Sequence, residues 1–170
     1  MEPDQILKKL ETDFNKVKKE LKIKQSLDEL DNLFSVREIV LDKGRVPLDL
    51  GRSLASIAVN FYMGWYNYLN GLIMPNPGFI ASMNESSIFS EEDKDKIHIL
   101  MSKLMALSSL NGRITTSKDK KLAAEVIDRA IALWPEFSKE VDELLQRVNA
   151  MWEKRSKDQP QKKRPQSHYG

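Results

Sequence analysis

The chain has 170 residues, of which 41% are apolar and 31% charged, with no Cys and a formal net charge of +2. That length suits one domain with a real core, and the absence of Cys excludes disulfides, thiolate nucleophiles and thiolate-held zinc or iron–sulfur centres. Met1-Glu2-Pro3-Asp4 leads into a Lys-rich amphipathic stretch without the apolar run of a secretory signal, so a cytoplasmic location is expected, or a nuclear one in a eukaryote.

Leu7, Leu10, Phe14, Val17 and Leu21 recur at 3-4-3-4 spacing, which predicts a first helix over about Asp4 to Ile23 that docks on the rest of the chain. Ser26-Leu27-Asp28-Glu29 has capping-box form and starts a second helix. Its apolar positions Leu27, Leu30, Leu33, Phe34, Ile39 and Leu41 run on to Gly44, which suits a left-handed end. Pro47 suits the first turn of a third helix, because its missing N–H would have no partner there.

The 32 residues from Ser53 to Asn84 contain no Asp, Glu, Lys or Arg. At ~100° per residue, Ser53, Ser56, Asn60, Gly64, Asn67 and Gly71 form one narrow small and polar stripe on the third helix, and Leu54, Ala58, Phe61, Trp65, Tyr68 and Leu72 lie opposite. An apolar helix in a domain whose other helices are amphipathic is expected at its centre, and three Asn residues argue against a membrane span. Two readings of the aromatics stand side by side: core, or a partner-contact surface including Tyr62, Trp65, Tyr66 and Phe79. Phe79 and Ile80, in a segment broken by Pro75, Pro77 and Gly78, are expected either to tuck onto the bundle or to mark a contact site.

Asn84 to Phe89 reads as loop. Ser90 followed by Glu91, Glu92 and Asp93 starts a fourth helix, with Ile97, Leu100, Met101, Leu104, Leu107 and Leu110 inward, and Asn111-Gly112 is expected to end it. Thr116 or Ser117 is expected to cap a fifth helix carrying Leu122, Val126, Ile127, Ala130 and Trp134. Pro135 closes it and opens a sixth, with Phe137, Val141, Leu144, Leu145, Val148, Met151 and Trp152 inward. Ala123, Ala130, Ile131, Leu133 and Pro135 resemble the second half of a tetratricopeptide repeat. The preceding helix lacks that repeat's Trp, Leu-Gly and Tyr positions, and no second copy occurs at ~34-residue spacing, so no solenoid is implied. In plan the chain is similar to the small helical subunits of CRISPR effector complexes, a likeness of architecture without a shared motif.

The expected fold is therefore all-α: a single helical bundle of about six helices over residues 1–155 with a central apolar helix, and a disordered basic tail over 156–170. The two His residues leave little material for a triad or a metal site. His98 pairs only with Asp95, three positions earlier on the same helix face, and is expected at the surface. No catalytic residue, metal or cofactor is expected.

Glu153 to Gly170 holds six Lys or Arg against Glu153 and Asp158, so the first 152 residues carry 21 basic and 23 acidic groups. The candidate phosphate contacts are Arg113, Lys118, Lys120 and Lys121 before and at a helix start, with Lys162, Lys163 and Arg164 in the tail. These features lead to a non-catalytic accessory or scaffold subunit of a nucleic-acid-processing complex, which meets protein partners through helical faces or self-associates. The alternatives are a pure protein-interaction or oligomerisation module with no nucleic-acid role, and a helical pocket for an apolar ligand. No membrane contact is expected.

Overall fold

The central element of the computed structural model is the uncharged helix, here α4 (Leu50–Ile73), which starts where the Asp49 carboxylate accepts the Arg52 backbone N–H at 3.1 Å. The structure describes residues 2–117 and 119–158. Over these it is all α-helical, with α1 (Pro3–Leu21), α2 (Leu27–Phe34) and α3 (Val36–Asp42) before α4. After it come α5 (Ile80–Ser86), α6 (Glu91–Ser117) and α7 (Lys121–Asp158).

Helix α4 buries Leu50, Leu54, Ala55, Ile57, Ala58, Val59, Tyr62, Leu69 and Leu72, mainly against α6 and α7. Helix α7 runs parallel to α4: Ala123 lies near Gly51, the Phe137 ring is 5.3 Å from that of Tyr62, and Trp152 reaches Glu85 beyond the end of α4. Helix α6 runs antiparallel to both, with Thr115 bonded to Arg52, Lys103 to Glu136 and Asp93 to Arg147. The α1–α3 segment packs on the N-terminal half of α4, and a Cβ on Gly51 would stand 2.6 Å from Leu21 Cδ1. The first helix thus docks within its own chain, burying Ile6, Leu10 and Phe14.

The boundaries correct five expectations from the sequence. The second helix is two: Ser35 takes a left-handed conformation (φ 51°), and the Asp31 carboxylate caps α3 by accepting the Arg37 N–H at 2.7 Å. Phe34 and Val36 are both buried; in a continuous helix a two-residue step turns by about 200°, so the break at Ser35 lets this segment at the edge of the bundle turn both toward the core. Pro47 precedes α4 rather than opening it, since the side-chain oxygen of Asp49 sets the start. Residues 80–86 form α5 where the sequence led to loop from Asn84. Helix α6 passes through Asn111-Gly112 because Ile114 continues its buried stripe, and Asp119, not Thr116 or Ser117, caps α7 through the Lys121 N–H at 2.9 Å.

The expected fifth and sixth helices are one, α7, which carries Pro135 inside it. An interior proline costs about 3 kcal/mol and leaves the Ile131 carbonyl without an N–H. Both halves keep one apolar phase through Val126, Ala130, Phe137 and Val141, so burial on either side holds the helix together. The Tyr62 hydroxyl donates to the Ala130 carbonyl at 2.7 Å, one residue before the weakened turn, and braces it. Helix α7 also extends to Asp158, past the expected limit of the ordered region at 155. The rest of the expected tail, 159–170, lies outside the described residues.

Burial pushes the Tyr62 phenol above its ordinary value of 10, so the folded chain holds a proton that the unfolded chain releases above that pH. Stability from this group is present below pH 10 and declines as pH rises beyond it. Tyr62→Phe is expected to cost about 0.5–1.5 kcal/mol in denaturant melts and to flatten the alkaline decline, whereas Tyr62→Ala should cost about 3–5 kcal/mol.

Candidate functional site

Two chemically distinct surfaces lie at opposite ends of α4, ~36 Å apart at 1.5 Å per residue. At its C-terminal end, Met74 (70% exposed), Phe79 (61%), Ile80 (76%) and Met83 (45%) form an apolar corner. The corner is built, not frayed. The Asn76 side chain accepts the Gly78 N–H at 2.9 Å and its carbonyl accepts the Phe79 N–H at 3.0 Å, closing a turn after α4. Ser82 Oγ donates to the Gly71 carbonyl at 3.3 Å, and Trp152 Nε1 donates to Glu85, so α5 is tied to both α4 and α7.

Behind the corner, Arg147 of α7 makes a two-pronged bond to the Asp93 carboxylate at 2.8 and 2.9 Å, donates to the Ile88 carbonyl and stacks 4.8 Å over the Phe89 ring. The same carboxylate accepts the N–H and hydroxyl of Ser90, whose Oγ caps α6 as the sequence led one to expect. The Arg147 guanidinium, then the Ser90 bonds, hold the Asp93 carboxyl well below its ordinary range.

At the N-terminal end of α4 the C-terminus of α1, the α3–α4 loop, the end of α6 and the start of α7 meet, as the contacts of Gly51 with Leu21, Arg52 with Thr115 and Lys120 with Glu20 show. Among the described residues, 16–25, 42–52 and 111–129 carry twelve Lys or Arg and six Asp or Glu, against eleven and nineteen elsewhere. Charge is therefore polarised along the bundle, with a cationic end away from the apolar corner.

Arg113, Lys120 and Lys121 are exposed at this cationic end, and Lys120 is within 3.4 Å of Glu20. Lys118, Lys162, Lys163 and Arg164 lie outside the described residues. Tyr62 is corrected: it is fully buried, edge-on to Phe34, Phe61 and Phe137, and its hydroxyl is spent on Ala130, so it is core and not a partner contact. Tyr66 is half-buried against the core. Trp65 lines an open notch of about 480 Å³ with Trp134, Phe137, Val141 and Leu145. Phe79 does not tuck back. Met74 and Met83 belong to the same exposed patch, and only their place in the uncharged segment hinted at it. Leu48, fully exposed in the α3–α4 loop, carried no sequence signal.

A groove of about 690 Å³ between α6 and α7 holds Lys96, Lys103, Lys139 and Arg147 beside Asp93, Glu136, Glu140 and Glu143, a balance that favours no sign of ligand. His98 and Asp95 are both exposed, and no three His, Asp or Glu side chains converge to hold a metal among the described residues. No helix among them is long and apolar enough to cross a membrane. Comparisons with protein families, curated proteins and solved structures find no match to this chain.

Because the Asp93 carboxyl is held low, its contribution to stability is present above its ordinary value of 3.8 and is lost as pH falls below it. Arg147→Met should cost about 1 kcal/mol at neutral pH, solvent screening the half-exposed pair, and should weaken the acid dependence between pH ~4 and ~2 in thermal melts.

Proposed function

We propose that this protein is a non-catalytic accessory subunit of a nucleic-acid-processing assembly, which rests a polyanion on its cationic end and meets protein through its apolar corner. The observation that carries this reading is the polarisation of the bundle: a surplus of cations converges at one end of α4, and exposed apolar side chains project at the other. Phosphate contact needs cations presented on a surface and no particular base-reading geometry. Arg113 and Lys121 supply such cations, with Lys19, Lys22, Lys43 and Arg45 on the same end. The reading implies sequence-independent binding that weakens with salt.

A second reading, a protein-interaction module without a nucleic-acid role, draws support from Phe79 and Ile80, which no segment of the described chain covers, and from the Lys120–Glu20 pair, which already occupies one candidate cation. One titration separates the two. Duplex DNA affinity is measured against salt for the parent chain and for a variant combining Arg113→Gln, Lys120→Gln and Lys121→Gln. The accessory reading expects the slope of log affinity against log salt to shrink by roughly 2–3 in the variant, about 0.9 for each phosphate that is no longer neutralised. No measurable affinity favours the pure interaction module, and an unchanged slope overturns the assignment of phosphate contact to these three cations.

A further inference from the structure

We infer that the exposed face of α4 is the two-fold interface of a homodimer, in which the Phe79–Ile80 corner of each copy seats in the Val46–Leu48 groove of the other. This rests on the reading of the corner as a protein contact and names the partner, a second copy of this chain.

A knob needs a hole, and the hole is on the same molecule. Lys43, Arg45, Val46, Pro47, Leu48, Asp49 and Ser53 border an open groove of about 550 Å³ at the N-terminal end of α4. Leu48 stands fully exposed on its rim. One exposed helix face joins hole to knob: Ser53 borders the groove, and the Gly71 carbonyl accepts the hydroxyl of Ser82, which anchors α5 beside the corner.

Between them lie Asn60, Gly64 and Asn67, all exposed, and Gly71, with 4-3-4 spacing. That order reads Asn-Gly-Asn-Gly in one direction and Gly-Asn-Gly-Asn in the other. A two-fold axis placed between Gly64 and Asn67 therefore sets every Asn against a Gly of the second copy. The space beyond Gly64 and Gly71 is open, with no atom within 4 Å of where a Cβ would stand. The ends match as well: Ser53 at the groove and Gly78 at the corner are equally distant in sequence from that axis.

Charge selects a second copy over other occupants. A two-fold interface turns a face upon itself, so a face with net charge repels its own image. From Ser53 to Asn84 there is no charged side chain, and this face meets its image without opposition. The charged side chains of the interface, Lys43, Arg45 and Asp49, border the grooves at its two ends, where each meets the uncharged corner of the other copy and not its own image.

The full chain is measured by light scattering and sedimentation equilibrium, where the dimer has twice the 19.6 kDa of one chain. Gly64→Arg is accommodated in the single chain, where the space is open and Arg is the better helix former. It is expected to raise the dissociation constant at least tenfold with unchanged helical content. Phe79→Asp and Leu48→Asp should weaken association similarly, and Ile99→Asp, on α6 away from this face, should leave it intact. Because the chain has no Cys, a mixture of Leu48→Cys and Phe79→Cys chains should form a disulfide-linked pair on oxidation that neither forms alone. A monomer at the highest soluble concentration overturns the inference, as does a dimer indifferent to Gly64→Arg. Neither result alters the DNA titration, so the accessory reading would survive the loss of the dimer.

Discussion

The rest of the molecule depends on covering α4. A 24-residue helix whose last 21 residues carry no charge cannot present most of its circumference to water. Burying each large apolar side chain contributes about 1.5–3 kcal/mol, which sets the scale of what its neighbours recover by packing on it. Tyr62 fixes how they pack. It is fully buried, so its hydroxyl must find an acceptor, and the acceptor it finds is the Ala130 carbonyl of α7. Phe34, Phe61, Trp134 and Phe137 then meet around it edge-on or tilted, linking α2, α4 and α7 through one aromatic cluster.

The placement of the two surfaces is a consequence of that covering. With α7 parallel to α4 and α6 antiparallel to both, the connection between α6 and α7 falls at the N-terminus of α4, next to the end of α1. Cations scattered over three sequence segments are thereby gathered. At the other end the chain must leave α4, turn, and enter α6, and the Asn76 turn with α5 accomplishes this while holding Phe79 and Ile80 outward. The Arg147–Asp93 fork locks α7 to the start of α6 beside this turn, so the corner stands on a fixed base.

Much of the fold was legible where side chains declare their environment locally. The capping box at Ser26, the Ser90 cap, the left-handed Gly44 and the central place of the uncharged helix all rest on chemistry contained within a few residues. Legibility failed where packing outweighed local preference. Pro135 and Asn111-Gly112 are strong stop signals, yet both lie inside helices, because apolar residues on either side share one buried phase. Ser35 is a weak stop signal, yet it breaks a helix, because Phe34 and Val36 must both reach the core and the Asp31 carboxylate can cap α3.

The candidate site divides the same way. The sequence by itself determined that the chain is all-α, that α4 would be buried, that its Ser/Asn/Gly positions share one face and that cations cluster in separate stretches, since periodicity and charge are local properties. Only the tertiary structure decided that Tyr62 is core while Phe79 is exposed, that Leu48 borders a groove, and that the cations of α1, the α3–α4 loop and the α6–α7 turn share one end. These outcomes depend on which segments lie side by side, and contact between residues as far apart as Glu20 and Lys120 is set by the packing of whole helices, not by any residue's own preference.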